Sequence, residues 1–380
     1  MKKVIFALAA VVALAACSQE DVIIADKGAA IGFDTFVENS TRSVNDPSYS
    51  SAQGGKMFTD FAVFGYVEGA VLLDGVRVAK NGADMDADDY AGQTSTAWKY
   101  EGTQYWIAGA NYNFNAVAPL TGGNWEVVEN DDDTVFTDAT KTTISFTNNG
   151  TTDLLYATAA QEGKASGNAV VGFNFRHVLS KVKFSFVNDY NASNATIRVK
   201  DVKITDAYKT ADAELTSVTN WSNQAVESGF VLNFGNAVAD DATSTDALAF
   251  AYGTTLESYN ELLMIPGQGA TAFEIKNADN SITPAKGYTI QFTVELLVSE
   301  QEVAEYTHTI NTAFIPEAGK SYDLKATIKP ENIDPEHAQE AIEFTVNSIV
   351  DWDEDHDGKE NTEAGDTDGD TQVDTNLPLN

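Results

Sequence analysis

The residue with the most distinctive chemistry is Cys17, the single cysteine of this 380-residue chain. Its thiol follows an apolar stretch, residues 4–16, which comes directly after Lys2 and Lys3. That stretch is too short to cross a bilayer as a helix, which takes about 20 residues. A basic start, a short apolar run and small residues before a polar segment are typical of an export signal. The pattern therefore predicts that residues 1–16 form a signal peptide.

The residues that end at Cys17 read Leu-Ala-Ala-Cys and resemble the lipobox of bacterial lipoproteins. The resemblance implies that Cys17 carries lipid, including palmitate, and becomes the first residue of the mature protein. The acidic segment 18–21 is similar to the signal that sends such lipoproteins to the outer face of the outer membrane. The alternative is an ordinary secretory signal with a chance cysteine. With Cys17 lipidated, no disulfide can form, so stability must come from β packing and core burial.

Catalysis needs an acid, a base or a nucleophile that converge on one place. The histidines are scattered along the chain at positions 177, 308, 337 and 356. His177 lies in a predicted strand and is interpreted as structural. The sequence holds no Gly-x-Ser-x-Gly, no His-Glu-x-x-His and no phosphate loop. We predict that the protein is not an enzyme.

Calcium is the one cofactor that the sequence suggests, and only weakly. Asp353, Asp355 and Asp357 match the first half of an EF-type loop, in which alternating carboxylates converge on a hard cation. Ala364 stands where the bidentate glutamate is needed, so the alternative is a solvated acidic tail. Residues 133–135, Asp-Thr-Val, fit a short O-glycosylation pattern, and an ordinary turn is the alternative.

Composition narrows the possible partners. The formal net charge is −34 at pH 7, which repels nucleic acid and anionic membranes. The chain is also 43% hydrophobic and 10% aromatic, enough to bury a core. Acids dominate residues 351–380, which we expect to form a disordered tail.

Short alternating runs between Gly, Asn, Asp and Thr clusters predict many strands and few helices. In residues 111–119, Tyr112, Phe114, Ala116 and Ala118 share a face; in residues 181–186 the pattern leaves Lys181 and Lys183 in water. Residues 196–204 read as a strand pair or a bent strand, and 288–294 and 321–328 as half-buried strands. The fold class predicted is all-β, built from sandwiches.

Two polar breaks divide the chain. Residues 161–168 have the composition of a linker, and the prolines at 330 and 335 predict a stiff, extended spacer. The predicted organisation is a signal peptide 1–16, an N-terminal segment with the first strand 17–42, two sandwich domains 43–165 and 166–329, a spacer with a last strand 330–352, and the acidic tail 353–380.

Motifs in a fixed order resemble those of the fimbrillin family, the pilins of type V pili on Gram-negative gut and oral bacteria. The resemblance implies two tandem β-sandwich domains of transthyretin-like topology. It covers most of the mature chain and rests on residues 31–37, Thr41-Arg42-Ser43, residues 61–66, the aromatic block 98–119, and residues 153–157, 175–182, 262–266, 319–322 and 350–352.

The resemblance also implies a mechanism of assembly. Family pilins are cut after the arginine that follows the first strand, and a C-terminal strand of a neighbouring subunit fills the groove. Here the candidate cleavage site is Arg42–Ser43, and the alternative is an arginine in an uncut surface loop. The candidate donor strand presents Ile342, Phe344 and Val346 on one face. The same Ile-x-Phe pattern recurs at residues 144–146 and 290–292, so the pattern does not by itself indicate exchange.

The sequence thus predicts a subunit or accessory component of a surface pilus, with other pilin subunits as partners, the outer membrane reached through the lipid on Cys17, and no nucleic-acid partner. The alternative is a surface lipoprotein that does not polymerise and binds a glycan or host ligand. Trp98, Trp106, Trp125 and Trp221 could then serve as sugar platforms, although aromatic residues at strand spacing are more often core.

Overall fold

The computed structural model describes residues 29–37, 58–93, 97–128, 142–164, 170–192, 194–215, 219–240, 242–276, 279–333, 342 and 344–351. Strands dominate this part of the chain, and its single helix is one turn long. The all-β fold class is therefore confirmed. No helix among the described residues has the length and hydropathy needed to cross a membrane.

Nine strands come from the N-terminal part of the chain. They are β1 Phe33–Val37, β2 Asp60–Val67, β3 Ala70–Lys80, β4 Trp98–Tyr100, β5 Asn111–Ala118, β6 Trp125–Val127, β7 Thr142–Thr147, β8 Leu155–Glu162 and β9 Val171–His177.

The remaining strands and the helix follow. They are β10 Ser180–Asn188, β11 Ala195–Ile204, β12 Thr210–Leu215, β13 Asn220–Ala225, β14 Leu232–Gly235, β15 Ala237–Val238, β16 Thr255–Ser258, β17 Leu262–Met264, β18 Thr271–Lys276, β19 Ile282–Val298, β20 Gln301–Thr312, β21 Lys320–Ile328, α1 Pro330–Ile333 and β22 Phe344–Asp351.

The strands form four sheets. The first sheet has seven strands in the order β1-β9-β8-β5-β2-β3-β4. The second has the order β15-β16-β10-β21-β22, and β17 also pairs with β10. The third has the order β14-β11-β19-β18, in which β20 also pairs with β19, and the fourth has the order β13-β12-β7-β6. Two pairs, β1 with β9 and β10 with β21, are parallel.

Two hydrophobic cores hold the sheets together. The first core lies on one face of the first sheet and is rich in aromatic side chains, among them Phe61 of β2 and Phe114 of β5. The second core includes side chains from the opposite face of the same strands, such as Phe64 and Val117, together with most of the apolar residues of β10, β11 and β19. The first sheet is therefore buried on both faces, which explains the unbroken burial along β2.

The sheet boundaries differ from the division predicted near residue 165. Strand β9 hydrogen-bonds to β8 and β1 and so belongs to the first sheet, and the chain enters the second sheet only at Ser180. Strand β7 pairs with β12, which joins the N-terminal and C-terminal parts in the fourth sheet. A change in composition shows only where the chain is polar. The sheet to which a strand belongs depends on the strands it pairs with, and these lie far apart in the sequence.

The spacer after residue 329 also differs from its prediction. Residues 330–333 form α1, one helical turn, instead of an extended segment. Pro330 occupies the first helical position, where its fixed φ suits a helix and its missing N–H is not needed. The backbone N–H of Lys329 donates to Oδ1 of Asn332 at 2.8 Å, and Ile333 is fully buried in the second core.

The carboxylate of Asp60 links β2 to β3 and to the loop after β5 through hydrogen bonds. Its buried carboxylate accepts hydrogen bonds from Nε of Arg77 at 2.7 Å, from the backbone N–H of Thr121 at 2.9 Å and from the Thr121 hydroxyl at 2.6 Å. Burial by itself raises the pKa of Asp60, but the hydrogen bonds from Thr121 and Arg77 outweigh it and leave the pKa below its usual value. Stability from this group is present above the unfolded pKa of about 3.9 and is lost as the pH falls through the folded pKa.

We therefore expect Asp60→Asn to lower the free energy of unfolding by about 1–3 kcal/mol at pH 7, and the deficit to shrink below about pH 4. Urea unfolding at both pH values measures this difference. Asp84→Asn is the matched control, because its carboxylate lies 3.9 Å from the same arginine but is 90% exposed. An equal loss in the two variants would contradict the role assigned to Asp60.

Candidate functional site

The candidate site is the groove that β1 fills at the edge of the first sheet. Strand β1 runs parallel to β9, with Phe33 opposite Val171 and Val37 opposite Phe175. Just before β1, the backbone N–H of Ile31 donates to the carbonyl of Gln104 at 2.8 Å, and Ala30 forms an antiparallel bridge with Tyr105. Within the described residues, no strand pairs with the other side of β1.

The side chains of this segment plug the first core. Ile31, Phe33 and Thr35 are each 0% exposed. The ring of Phe33 lies 5.2 Å from that of Tyr100, 5.7 Å from that of Phe114 and 5.6 Å from that of Phe173, measured between centroids. Alternate residues of a strand point to the same face, so the three side chains enter the core together. Without them the first core would be open at this edge.

Tyr100 ties the groove to the β1 segment through its hydroxyl. The hydroxyl donates to the carbonyl of Ile31 at 3.0 Å and accepts from the backbone N–H of Gln104 at 3.0 Å. Burial raises the pKa of Tyr100 strongly, so the hydroxyl stays protonated and remains a donor. Gln93 fixes the backbone of Tyr100 by donating to its carbonyl at 2.6 Å. The groove therefore holds a backbone contact as well as apolar pockets.

Thr35 is the exception among the plugging side chains. Its backbone N–H donates to Oδ1 of Asp34 at 2.9 Å, but its buried hydroxyl oxygen has no hydrogen-bond partner in the described structure. Leaving a buried polar group unsatisfied costs about 1–3 kcal/mol. The sequence does not reveal this unsatisfied hydroxyl, because the partner atoms of a side chain cannot be read from one strand.

The predicted donor strand is β22, an edge strand that pairs antiparallel with β21. Ile342 just before it is 1% exposed in the second core, and the ring of Phe344 lies 5.4 Å from that of Phe184 and 5.7 Å from that of Phe292. Phe344 is half-buried, and Val346 is 44% exposed. The three side chains thus differ in burial, and the groove of β1 and strand β22 lie in different sheets.

Several predicted site residues lie outside the described residues. They are the lipidation site Cys17, the cleavage site Arg42–Ser43, the weak calcium candidates Asp353, Asp355 and Asp357, and the O-glycosylation pattern at residues 133–135.

The other three arginines of the chain all lie in paired strands. Arg77 of β3 is opposite Ala62, Arg176 of β9 is opposite Tyr156, and Arg198 of β11 is opposite Glu295. Their side chains are engaged as well: Arg77 pairs with Asp60, and the guanidinium of Arg176 lies 5.3 Å from the centre of the Tyr156 ring. A protease needs an accessible, unpaired backbone, so these three sites are protected in the folded chain.

The tryptophans suggested as sugar platforms are mainly packing residues. Trp98 and Trp106 are 1% and 3% exposed in the first core. The indole N–H of Trp125 donates to the carbonyl of Pro119 at 2.7 Å, and that of Trp221 to the carbonyl of Val178 at 3.3 Å. Trp125 and Trp221 are partly buried and pack against the second core. The burial of Trp98 and Trp106 thus agrees with the packing role that strand spacing indicates.

One acidic group in the described residues has the spacing of a metal site. Carboxylate oxygens of Glu295, Glu302 and Glu305 lie within 4.8 Å of one another. Lys200 bonds to Glu295 and also lies 3.1 Å from Glu305, while Arg198 lies 3.5 Å from Glu295. These two cations offset two of the three negative charges, so the cluster is interpreted as an ion-pair network. His177 has a structural partner as well, the carboxylate of Asp153 at 2.6 Å.

Together, these features define an all-β protein whose first core is completed by a strand at a sheet edge. The chain belongs to the fimbrillin-like family, whose model matches residues 59–352. The match includes β22 and ends short of β1 on the N-terminal side. This is a family of fimbrial structural proteins, in agreement with the resemblance inferred from sequence, and it assigns the chain a pilus- and adhesion-related role.

The chain is also similar to several solved structures, at low sequence identity. A candidate cell adhesion protein from Bacteroides uniformis is 15% identical, with 86% of this chain and 99% of that chain covered and a TM-score of 0.37. One from Bacteroides ovatus is 14% identical, with 86% and 98% covered and a TM-score of 0.41. The fimbrial anchor protein Mfa2 from Porphyromonas gingivalis is 10% identical, with 84% and 95% covered and a TM-score of 0.32. No curated protein matches the chain.

Proposed function

We propose that this protein is a subunit or accessory component of a type V pilus on the bacterial surface, acting in adhesion. It is exported as a lipoprotein on Cys17, cut after Arg42, and joined to other subunits when a foreign strand replaces β1. The observation that carries this proposal is the edge position of β1 combined with the complete burial of Ile31 and Phe33. Strand β1 pairs with a single strand among the described residues, so it can leave without breaking the pairing of the other strands in its sheet.

The distribution of arginines supports a single cut. Arg42 lies between β1 and β2, whereas Arg77, Arg176 and Arg198 lie in paired strands. Cleavage at Arg42 removes the covalent link between β1 and β2, so β1 then depends on non-covalent contacts such as those of residues 29–37. The fragment that departs then carries the lipid with it, so Cys17 serves for delivery to the outer membrane and not as a lasting anchor.

We expect an arginine-specific protease to cut the folded chain that starts at Ser18 at Arg42 only. Cleavage at the three strand arginines requires prior opening of a sheet, so it should be at least about 100-fold slower. Intact-mass measurement of the products tests this, with a fragment that starts at Ser43 as the expected result.

Arg42→Lys should prevent the cut, and Arg77→Lys, the control, should leave it unchanged. Assembly is then measured on a denaturing gel after mild heating of the samples. Multimers appear as a ladder of bands, which we expect only for chains that have been cut. A first cut at another arginine, or a clean cut at Arg42 that gives only monomers, would contradict the proposed function.

A further inference from the structure

The loop between β4 and β5 binds the residues that precede β1. The backbone N–H of Trp106 donates to the carbonyl of Ala29 at 3.0 Å. The carbonyl of Gln104 accepts from the backbone N–H of Ile31 at 2.8 Å. Strand β1 itself pairs with β9. The N-terminal segment is therefore bound by two different elements: residues 29–31 by this loop, and β1 by the first sheet.

A glycine stands at each end of this loop. Gly102 and Gly109 have φ angles of 77° and 78°, in the left-handed region that favours glycine. A Cβ atom at either position would meet no atom within 4 Å, so neither glycine is packed against the body of the protein. Residues 102–109, here called the clasp, therefore have an exposed hinge position at both ends.

A single buried side chain closes the clasp. Within residues 103–108, Trp106 is buried and the other side chains are half-buried or exposed. The Trp106 ring lies 4.7 Å from the ring of Tyr112 and 6.1 Å from that of Phe114, between centroids. Its indole N–H has no hydrogen-bond partner in the described structure, so the ring is bound by packing and can leave without breaking a hydrogen bond.

The hydroxyl of Tyr100 connects the clasp to the segment beneath it. It accepts from the backbone N–H of Gln104 and donates to the carbonyl of Ile31, each at 3.0 Å. The Tyr100 ring also packs against Phe33 in the first core. Opening of the clasp thus breaks the contacts of residues 29–31 and leaves the pairing of β1 with β9 intact.

The order of the chain places the two holds at different distances from the lipid. Cys17 precedes residues 29–31, and Arg42 follows β1. A cut at Arg42 therefore creates a free end on the side of Val37, and β1 can separate from β9 starting there. Residues 29–31 lie on the lipid side and remain bound, because local opening of one element does not require opening of the other.

We propose that the clasp is a retention device: after the cut at Arg42 it keeps the lipid-bearing fragment attached by residues 29–31 while β1 leaves the sheet, and its opening is the last step of release. The inference rests on the proposed function, because it concerns the chain after that cut. The subunit then stays on the membrane while its groove is already accessible. The clasp, and not the pairing of β1, sets how long this state lasts.

Hydrogen exchange measured by NMR on the chain from Ser18 tests the order of release. After the cut at Arg42, the β1 amides that face β9 should exchange at least roughly tenfold faster than before it. The amides of Ile31 and Trp106 should change by less than about twofold, because the clasp remains closed. Equal acceleration at both places would overturn the proposed order.

Tyr100→Phe tests the clasp itself. It keeps the ring and removes both hydrogen bonds of the hydroxyl, so the fragment 18–42, labelled at its N-terminus, should leave the cut chain roughly tenfold faster in timed gel filtration. Tyr156→Phe is the matched control. Its hydroxyl is also buried, but it donates to Oδ1 of Asn115 at 3.1 Å and its ring lies in the second core. Equal release from the two variants would show that the clasp does not set the rate.

A cross-link separates the two holds directly. Ala30 and Tyr105 are bridge partners, and the chain from Ser18 lacks the single cysteine, so Ala30→Cys with Tyr105→Cys gives one disulfide on oxidation. After the cut, the β1 amides of this oxidised chain should still exchange rapidly although the fragment cannot leave. Protection of β1 equal to that in the uncut chain would contradict the inference.

Failure of the proposed function gives a different result. If Arg42 is not cut, or if the cut chain gives only monomers, the proposed function fails. The uncut chain still tests the clasp: Tyr100→Phe should raise the exchange rate of the Ile31 amide roughly tenfold over that in Tyr156→Phe. Equal rates in these two uncut variants would overturn the inference without bearing on the cut.

Discussion

A chain that begins at Ser43 is expected to assemble without any protease, because it lacks the strand that closes the first core. Losing Ile31 and Phe33 removes two fully buried side chains, a loss on the order of 5 kcal/mol or more. That loss is comparable to the whole stability of many domains, about 5–15 kcal/mol. The exposed groove, with Tyr100, Phe114 and Phe173 around the empty position, then gains most by accepting a strand from another copy.

Light scattering after gel filtration should show multimers for the chain from Ser43 and monomers for the chain from Ser18. Phe33→Ala in the chain from Ser18 is the informative control. It empties the central pocket but leaves the β1 backbone in place, so we expect a less stable monomer, by about 3–5 kcal/mol, and little association. A chain from Ser43 that is monomeric and as stable as the longer chain would show that β1 does not complete the core.

Phe344→Ala should have the second large effect, at the other end of the chain. The ring of Phe344 packs against those of Phe184, Phe186 and Phe292, so its loss leaves a cavity in the second core. Since the residue is half-buried, we expect a fall in the free energy of unfolding of about 2–4 kcal/mol. Ladder formation by the cut chain should fall as well, because Phe344 belongs to the candidate donor strand.

Urea unfolding measures the first effect, and the gel ladder measures the second. Thr345→Ala is the matched control, because this neighbouring side chain is exposed and contributes little to either core. A variant Phe344→Ala that is less stable but forms ladders as well as the unchanged chain would indicate that another strand occupies the groove.

The strands with strong alternation were predictable from the sequence. Tyr112, Phe114, Ala116 and Ala118 of β5 all enter the first core, as their spacing predicts. Of the two alternatives for residues 196–204, a strand pair or a bent strand, the structure has the bent strand: β11 is continuous, and its register shifts between Lys200 and Lys203. Asp201 in that bulge has a φ of 54°, the left-handed backbone that accommodates the extra residue. Local alternation suffices for such elements, because it follows from one strand facing one core.

What the sequence did not predict depends on contacts between distant segments. Lys181 and Lys183 were expected in water, but their side chains are 13% and 25% exposed and pair with Glu261 and Glu257. The membership of β9 in the first sheet and the unsatisfied hydroxyl of Thr35 are of the same kind. Each depends on which strand lies alongside, and pairing between strands far apart in sequence is not encoded in either strand alone.

The parallel pairing of β1 with β9 has a mechanical consequence. A strand that occupies this groove and is pulled along its own axis is loaded in shear, so its backbone hydrogen bonds to the five paired positions from Val171 to Phe175 must break together rather than one at a time. A buried aromatic ring in the position of Phe33 must also leave its pocket in the first core at the same moment. The lifetime of such a joint under tension is set by its unfolding rate and not by its equilibrium affinity. A fibre built from these joints would resist flow at the cell surface through slow rupture at each link.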